Sequence, residues 1–194
     1  GFIPASDGWV FGEWDLRTDF AIPEDTVPYM QRLVDALKAR GITLVGVPVP
    51  SRGMLHAQYL DKTNPLAAAY SAETATQNYL AAIEQYESLG MVMVNPLSYL
   101  TENVDALDFK TDMHWTPEGA KQVAQAVADT LKTLPEAATL TPSTFTLSEA
   151  FIGEHEGVYT KDLTRLCNTP LPKEPIQHYE LSGGPKVGLL EDAT

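Results

Sequence analysis

Apolar positions along the chain alternate between helical stripes and short unbroken runs. In "IPEDTVPYMQRLVDALKARG", Tyr29, Leu33 and Leu37 recur at i, i+4 and i+8, Pro28 suits a first turn, and Gly41 suits the position just past a helix end. This predicts a helix over about 28–40. "ITLVGVPVP", 42–50, is nearly all apolar and β-branched, which predicts a strand buried on both faces. The same unit recurs. "SAETATQNYLAAIEQYESLG" predicts a helix over about 71–89 closed by Gly90, and "MVMVNPL" predicts a second buried strand. "TPEGAKQVAQAVADTLKTL" predicts a third helix, with Thr116 as N-cap, Pro117 in the first helical position and Glu118 in the first turn. Helix, glycine, apolar strand, polar loop, helix is the order of an α/β protein with parallel strands and crossover helices. The 42–50 and 91–95 strands are expected in one sheet.

The two ends read differently. Residues 1–20 predict a turn at Asp7-Gly8 and a short strand through Trp9-Val10-Phe11. After about residue 134 the chain is rich in Pro, Thr and Gly, with short extended pieces and at most one turn of helix near 161–166. Too many aromatic and aliphatic residues occur there for a disordered tail. Residues 135–187 are therefore expected as an ordered, irregular excursion within a single α/β domain spanning 1–194.

Composition narrows the function. With 194 residues, 44% hydrophobic and 20% charged, the chain can bury a real core. Its net charge of −13 argues against nucleic acid, whose phosphates are bound by Lys and Arg. No apolar run approaches the roughly 20 residues of a membrane helix. The chain starts without Met, a basic segment or an apolar segment, so Gly1 is expected to begin a mature or trimmed chain, with an upstream signal or anchor left open. Cys167 is the single cysteine, either a lone thiol or a partner for a cysteine elsewhere.

"DFKTDMHWTPEGAK", 108–121, carries the candidate chemistry. Asp112 and His114 precede the third helix, in a loop beyond a strand, where α/β sheets collect function. In extended backbone, residues i and i+2 project to one side. Asp112 can then accept from His114 Nδ1, leaving Nε2 free as a base toward a hydroxyl. The same residues have a purely structural reading, an acid near a helix N-terminus, and a metal-ligand reading. His56, His155 and His178 are scattered through what read as polar loops, and no H-E-x-x-H occurs. "VPVPSRG" places Ser51 and Arg52 at the carboxyl end of the 42–50 strand. Arg52 is expected to face a ligand or to order the site. Ser51 lacks the glycine-flanked surroundings of a nucleophile elbow.

Taken in order, "DGWVF", "LVGVPVPSRG", "YLAAIEQYESLGMVMV", "TDMHWTPEGA" and "KDLTRL" resemble the SGNH-hydrolase-like domain of the alginate O-acetyltransferase AlgX/AlgJ family over most of residues 7–166. "TDMHWTPEGA" is the most specific of these. The resemblance implies a circularly permuted, flavodoxin-like three-layer sheet with flanking helices. It implies acetyl transfer to hydroxyls of an exported bacterial polysaccharide in the periplasm, through a Ser-His-Asp triad with no cofactor and no metal. His114 then corresponds to the general base and Asp112 to its orienting partner. Arg52 and Trp115 are candidate substrate contacts, and an acetyl donor or an acetyl-transferring membrane protein is the implied partner.

The family's serine follows the Asp-x-His segment, after a strand, in a short G-[TD]-S type turn, and residues 1–194 contain no such turn. Ser182 in "LSGG" lacks a preceding apolar strand. The final "KVGLLEDAT" resembles the lead-in to the serine-bearing strand, so the chain is expected to continue past Thr194; the alternative is a shortened protein without a nucleophile. Three readings stand: an O-acetyltransferase or acetylesterase; a binding module in which Trp9, Trp14, Tyr70 or Tyr159 stack on sugars; and a metal-dependent esterase using Asp112 and His114.

Overall fold

Prolines and glycines decide where the elements of this chain stop. The computed structural model describes residues 1–139, 143–168 and 170–184. Strands β1 (Phe2–Pro4) and β2 (Val10–Gly12) pair antiparallel, with Ile3 opposite Phe11. Asp7 and Gly8 turn between them at φ of 59° and 78°, the left-handed region that Gly and Asp tolerate best. Helix α1 (Val27–Lys38) follows, then β3 (Val45–Gly46) and two short helices, α2 (Arg52–Leu55) and α3 (Pro65–Ala69). The long helix α4 (Ala72–Ser88) leads through Gly90, at φ 91°, into β4 (Val92–Met93). Helix α5 (Pro117–Lys132), β5 (Phe145–His155), α6 (Val158–Cys167) and β6 (Glu174–Gly183) complete the described chain.

The two expected core strands pair in parallel, Val45 opposite Val92 and Gly46 opposite Met93, with α2 to α4 in the crossover between them. They are shorter and less buried than the apolar runs suggest. Pro48 and Pro50 have no N–H for a ladder, so pairing ends at Gly46. Ile42, Val47 and Val49 are exposed at 49%, 38% and 57%. In α1 the stripe also differs from expectation. Val34 is its buried residue, with Met30 and Leu37 half-buried, whereas Tyr29 and Leu33 face outward. One narrow contact with the body of the protein suffices to hold this helix, and the sequence does not say which of its two stripes makes it.

The segment after residue 134 is more regular than its composition implies. β5 and β6 form a long antiparallel ribbon, from Phe145 opposite Gly183 to His155 opposite Glu174, irregular between Glu149 and Ile152, with the ten-residue α6 in the connection. β5 is exposed along nearly its whole length. A ribbon without a buried face carries no apolar alternation, which is why its strands were illegible. The expected lead-in strand at 186–194 and the Cys167 side chain lie outside what is described.

The main core joins Ile3, Trp9 and Phe11 to Leu60, Ala67, Tyr70 and Ala75. A second cluster places Leu107 and Val123 against Leu100, with Leu55 and Trp115 packed alongside. Full burial of an Ile, Leu, Val or Phe among them contributes about 1.5–3 kcal/mol. The second cluster holds Leu107 and Trp115 against α5. The Val10 N–H donates to the Lys110 carbonyl at 2.9 Å, so the 107–116 loop lies between β2 and α5. Among the described residues no helix is long and apolar enough to cross a membrane.

Candidate active site

The loop from Leu107 to Thr116 is a closed hairpin. Asp108 bridges Trp115, the Phe109 N–H donates to the His114 carbonyl at 3.2 Å, and the Thr116 N–H donates to the Leu107 carbonyl at 2.8 Å. Thr116 then accepts from the Gly119 N–H at 3.3 Å as N-cap of α5, as its sequence position predicts. The tip is held from outside. Glu174, the first residue of β6, accepts from the Lys110 and Thr111 N–H groups at 2.8 and 2.9 Å and from the Thr111 hydroxyl at 2.6 Å.

Within this frame Asp112 is fully buried and has four donors. His114 Nδ1–H donates to Oδ1 at 2.7 Å and the His114 backbone N–H to the same oxygen at 3.2 Å. His155 Nε2–H donates to Oδ2 at 2.8 Å and the Val158 N–H to Oδ2 at 3.1 Å. An ionised carboxylate only accepts, so these bonds place a proton on Nδ1 of His114 and on Nε2 of His155. Burial pushes the Asp112 carboxyl up, but the His114 ring, the Val158 N–H, the His155 ring and the His114 N–H together outweigh it. The group is held below the ordinary carboxylate range.

His114 itself is open, its side chain 65% exposed. With Nδ1 on Asp112, a neutral His114 presents Nε2 as an unprotonated acceptor. It lines a cavity of about 530 Å³ with Trp14, Phe20, Met113 and Trp115, at the carboxyl end of the β3 segment where Val49, Pro50 and Ser51 form one wall. That volume is ordinary for a small-molecule or sugar-sized site. Trp115 is half-buried, packing on the Leu107 cluster while also lining the cavity. Trp14 is 49% exposed there, with its ring against Phe2 and Tyr159. Trp9, Tyr70 and Tyr159, the other aromatics considered for sugar stacking, are core residues. Ser51 also reaches the cavity wall, but its hydroxyl is buried without a partner among the described residues. Ser182 is paired opposite Thr146 in the β5–β6 ribbon.

Of the two roles considered for Arg52, ligand contact and ordering of the site, its hydrogen bonds supply the second, and it also lines the cavity beside Ser51. It is 3% exposed, and both of its terminal nitrogens are spent inside the protein. Nη1 donates to the Val10 carbonyl at 2.9 Å and to Asp15 at 3.1 Å; Nη2 donates to the Phe109 and Lys110 carbonyls at 2.7 and 3.0 Å. It thus ties β2 to the loop that carries Asp112. Burial pushes the Asp15 carboxyl up, against the lowering pull of Arg52.

Three side chains that hold the candidate site together escaped sequence reasoning. Asp15 and Glu174 had no motif around them, and His155 lies 43 positions from Asp112. The one local hint is Gly157: a Cβ there would lie 2.1 Å from the Thr111 carbonyl oxygen, so only glycine lets this segment approach the loop. Of the three histidines expected in polar loops, His56 does lie in a loop after α2 but is fully buried, whereas His155 ends β5 and His178 lies in β6, stacked on Phe151 at 4.3 Å. Among the described residues no group of three or more His, Cys, Asp or Glu is arranged to hold a metal ion.

A family model described as "SGNH hydrolase-like domain, acetyltransferase AlgX" matches residues 2–194. The chain belongs to this family. It is 31% identical over 180 residues to the alginate biosynthesis protein AlgX of Pseudomonas aeruginosa, covering 92% of this chain and 38% of that protein. Against the Azotobacter vinelandii protein of the same name it is 31% identical over 175 residues, covering 87% of this chain and 36% of the relative. The chain thus spans under two-fifths of the length of these curated AlgX relatives. The solved structure of P. aeruginosa AlgX matches with a TM-score of 0.85 at 30% identity, over 97% of this chain and 45% of that one. The O-acetyltransferase domain of Pseudomonas putida AlgJ matches with a TM-score of 0.65 at 22% identity, over 94% and 66% of the two chains, a likeness of fold. The SGNH-hydrolase-like fold of this AlgX-family domain is therefore shown.

Proposed function

We propose that the cavity at His114 is an acetyl-transfer site for hydroxyls of an exported polysaccharide, working in the periplasm. The observation that carries this reading is the Asp112–His114 pair: Nδ1 fixed at 2.7 Å on a buried carboxylate, with the imidazole exposed at the mouth of a sugar-sized cavity. Membership of a family described as acetyltransferase supports it.

His114 Nε2 takes the proton from a serine hydroxyl as that oxygen attacks the acetyl carbonyl. The leaving group departs with the proton that His114 returns, and an acyl-serine remains. A sugar hydroxyl then gives its proton to Nε2, attacks the acyl-serine and leaves as the acetyl ester, while the proton returns to the serine. Asp112 holds the tautomer and stabilises the imidazolium that forms in each half. Water in place of the sugar makes the same site an esterase. This reading places the serine outside residues 1–194. It also assigns the acetyl donor to a small ester or to an acetyl-transferring membrane partner. Trp14 and Trp115 offer apolar faces to the acceptor sugar. With a net charge of −13 the domain repels a polyanion over long range, so alginate and another exported polysaccharide stand equally as acceptor.

The test is to label the full-length protein with an aryl sulfonyl fluoride and locate the adduct by peptide mass spectrometry. An adduct on a serine outside residues 1–194, lost in His114→Ala, is the expected result. An adduct on Ser51 would overturn the placement of the nucleophile. A folded protein that takes no label would turn the assignment to a polysaccharide-binding module.

A further inference from the structure

We propose that His155 is a positioning residue of this site: it clamps the far oxygen of Asp112 and thereby fixes the carboxylate that orients His114. The inference rests on the acid–base reading of Asp112 and His114, but its geometry is independent of where the nucleophile lies.

The two oxygens of Asp112 are divided between two elements. Oδ1 serves only the ring and backbone of His114, whereas Oδ2 receives His155 Nε2 and the Val158 N–H, from the end of β5 and the start of α6. A carboxylate held through one oxygen can rotate about its Cβ–Cγ bond; held through both, it cannot without breaking a second pair of hydrogen bonds. His155 is itself prevented from turning. Its ring stacks on Phe109 at 3.9 Å and 22°, and its backbone pairs with Glu174, whose carboxylate holds the Lys110 and Thr111 N–H groups beside Asp112. The chain therefore reaches the loop twice at one ribbon end, once through a side chain on Asp112 and once on the backbone before it. His155 is 24% exposed in its side chain, against 65% for His114, so it does not compete for the cavity mouth. Hydrogen-bond partners behind metal-ligating side chains commonly change affinity or activity by about ten- to a hundredfold when removed. A partner behind the carboxylate that orients a base acts by the same physics of fixing orientation.

Two variants separate donation from packing. His155→Phe keeps a ring against Phe109 and removes the donor. His155→Gln gives up the ring but keeps an N–H₂ that reaches the Nε2 position. The first measurements are carbon NMR titration of the Asp112 carboxyl and the proton signal of His114 Nδ1–H, both on the full-length protein. His155→Phe is expected to raise the Asp112 titration midpoint and to shift or broaden the His114 signal, and His155→Gln to restore both in large part. In the full-length protein, His155→Phe is expected to lower kcat for acetyl-ester turnover about tenfold with KM unchanged. The proposal is overturned if a folded His155→Phe leaves both NMR signals in place, or if Gln fails to differ from Phe. Should His155→Phe not fold, Gln alone decides: its Asp112 midpoint must stay near that of the unmodified chain. Loss of the acetyl-transfer reading would show instead as turnover indifferent to His114→Ala, with the Asp112 signals still answering to His155.

Discussion

Of the three histidine–aspartate contacts among the described residues, two have nearly the same bond length and differ in which partner is buried. His114 meets Asp112 at 2.7 Å and His56 meets Asp108 at 2.8 Å. His56 is fully buried, its ring 4.1 Å from that of Trp9, and its Nδ1 has no partner among the described residues. In the other pair the carboxylate is buried and the imidazole is exposed at a cavity. A carboxylate on an imidazole is thus not by itself a mark of catalysis. On the proposed reading, what separates the base from a structural bond is which partner faces solvent. His56 is sealed from solvent behind Asp108, which itself lines the cavity, and the bond between them satisfies one ring nitrogen and one carboxylate oxygen. His114 is anchored on one nitrogen and free on the other.

Exchanging the two histidines for smaller residues gives the sharpest contrast. His114→Ala in the full-length protein is expected to lower acetyl-ester turnover about a thousandfold or more, with the melting temperature shifted by a few degrees at most. His56→Ala is expected to do the reverse in kind: about 3 kcal/mol lost in urea denaturation, because Asp108 is left unpaired beside a new cavity. Equal losses of stability from the two would erase the distinction. Arg52→Met should also cost about 3–5 kcal/mol, since it strips a buried ion partner from Asp15 and the donor from three carbonyls.

Acid separates two further carboxylates. Asp112 has a depressed pKa in the fold, so its contribution to stability is complete above its unfolded value of 3.8 and is lost as pH falls through the folded value. Asp15 has a raised pKa, so the fold favours its neutral form and loses stability as pH rises from 3.8 through the folded value. Urea melts against pH should show the advantage of the unmodified chain over Asp112→Asn shrinking below pH 3.8, and no such shrinkage against Asp15→Asn. The smallest effect expected is at Trp14. Trp14→Ala should weaken oligosaccharide binding roughly two- to tenfold, read by calorimetry, and leave stability nearly unchanged because half of the ring is already exposed.

Much of this was legible locally. Thr116 and Pro117 announce the start of α5, Gly41 and Gly90 close two helices, and Asp112 and His114 sit two residues apart. Other features were not legible. Arg52 stands where a ligand contact is expected, at the end of a strand, but the packing of Trp9 and Phe11 beside it turns its charge inward. Tyr29 and Leu33 form a good helical stripe, yet the body of the protein meets the face carrying Val34. The β5–β6 ribbon leaves no apolar alternation because neither face is fully covered.

By itself the sequence indicated the helix ends and the two apolar core strands, and it put Asp112 within reach of His114, because each depends on residues a few positions apart or on a single apolar run. Only the tertiary structure decided that Asp112 is shared with His155, that Glu174 and Arg52 hold its loop, and that His56 is sealed while His114 is open. Those facts depend on which side of a folded chain meets solvent, and burial is a property of all the neighbours at once.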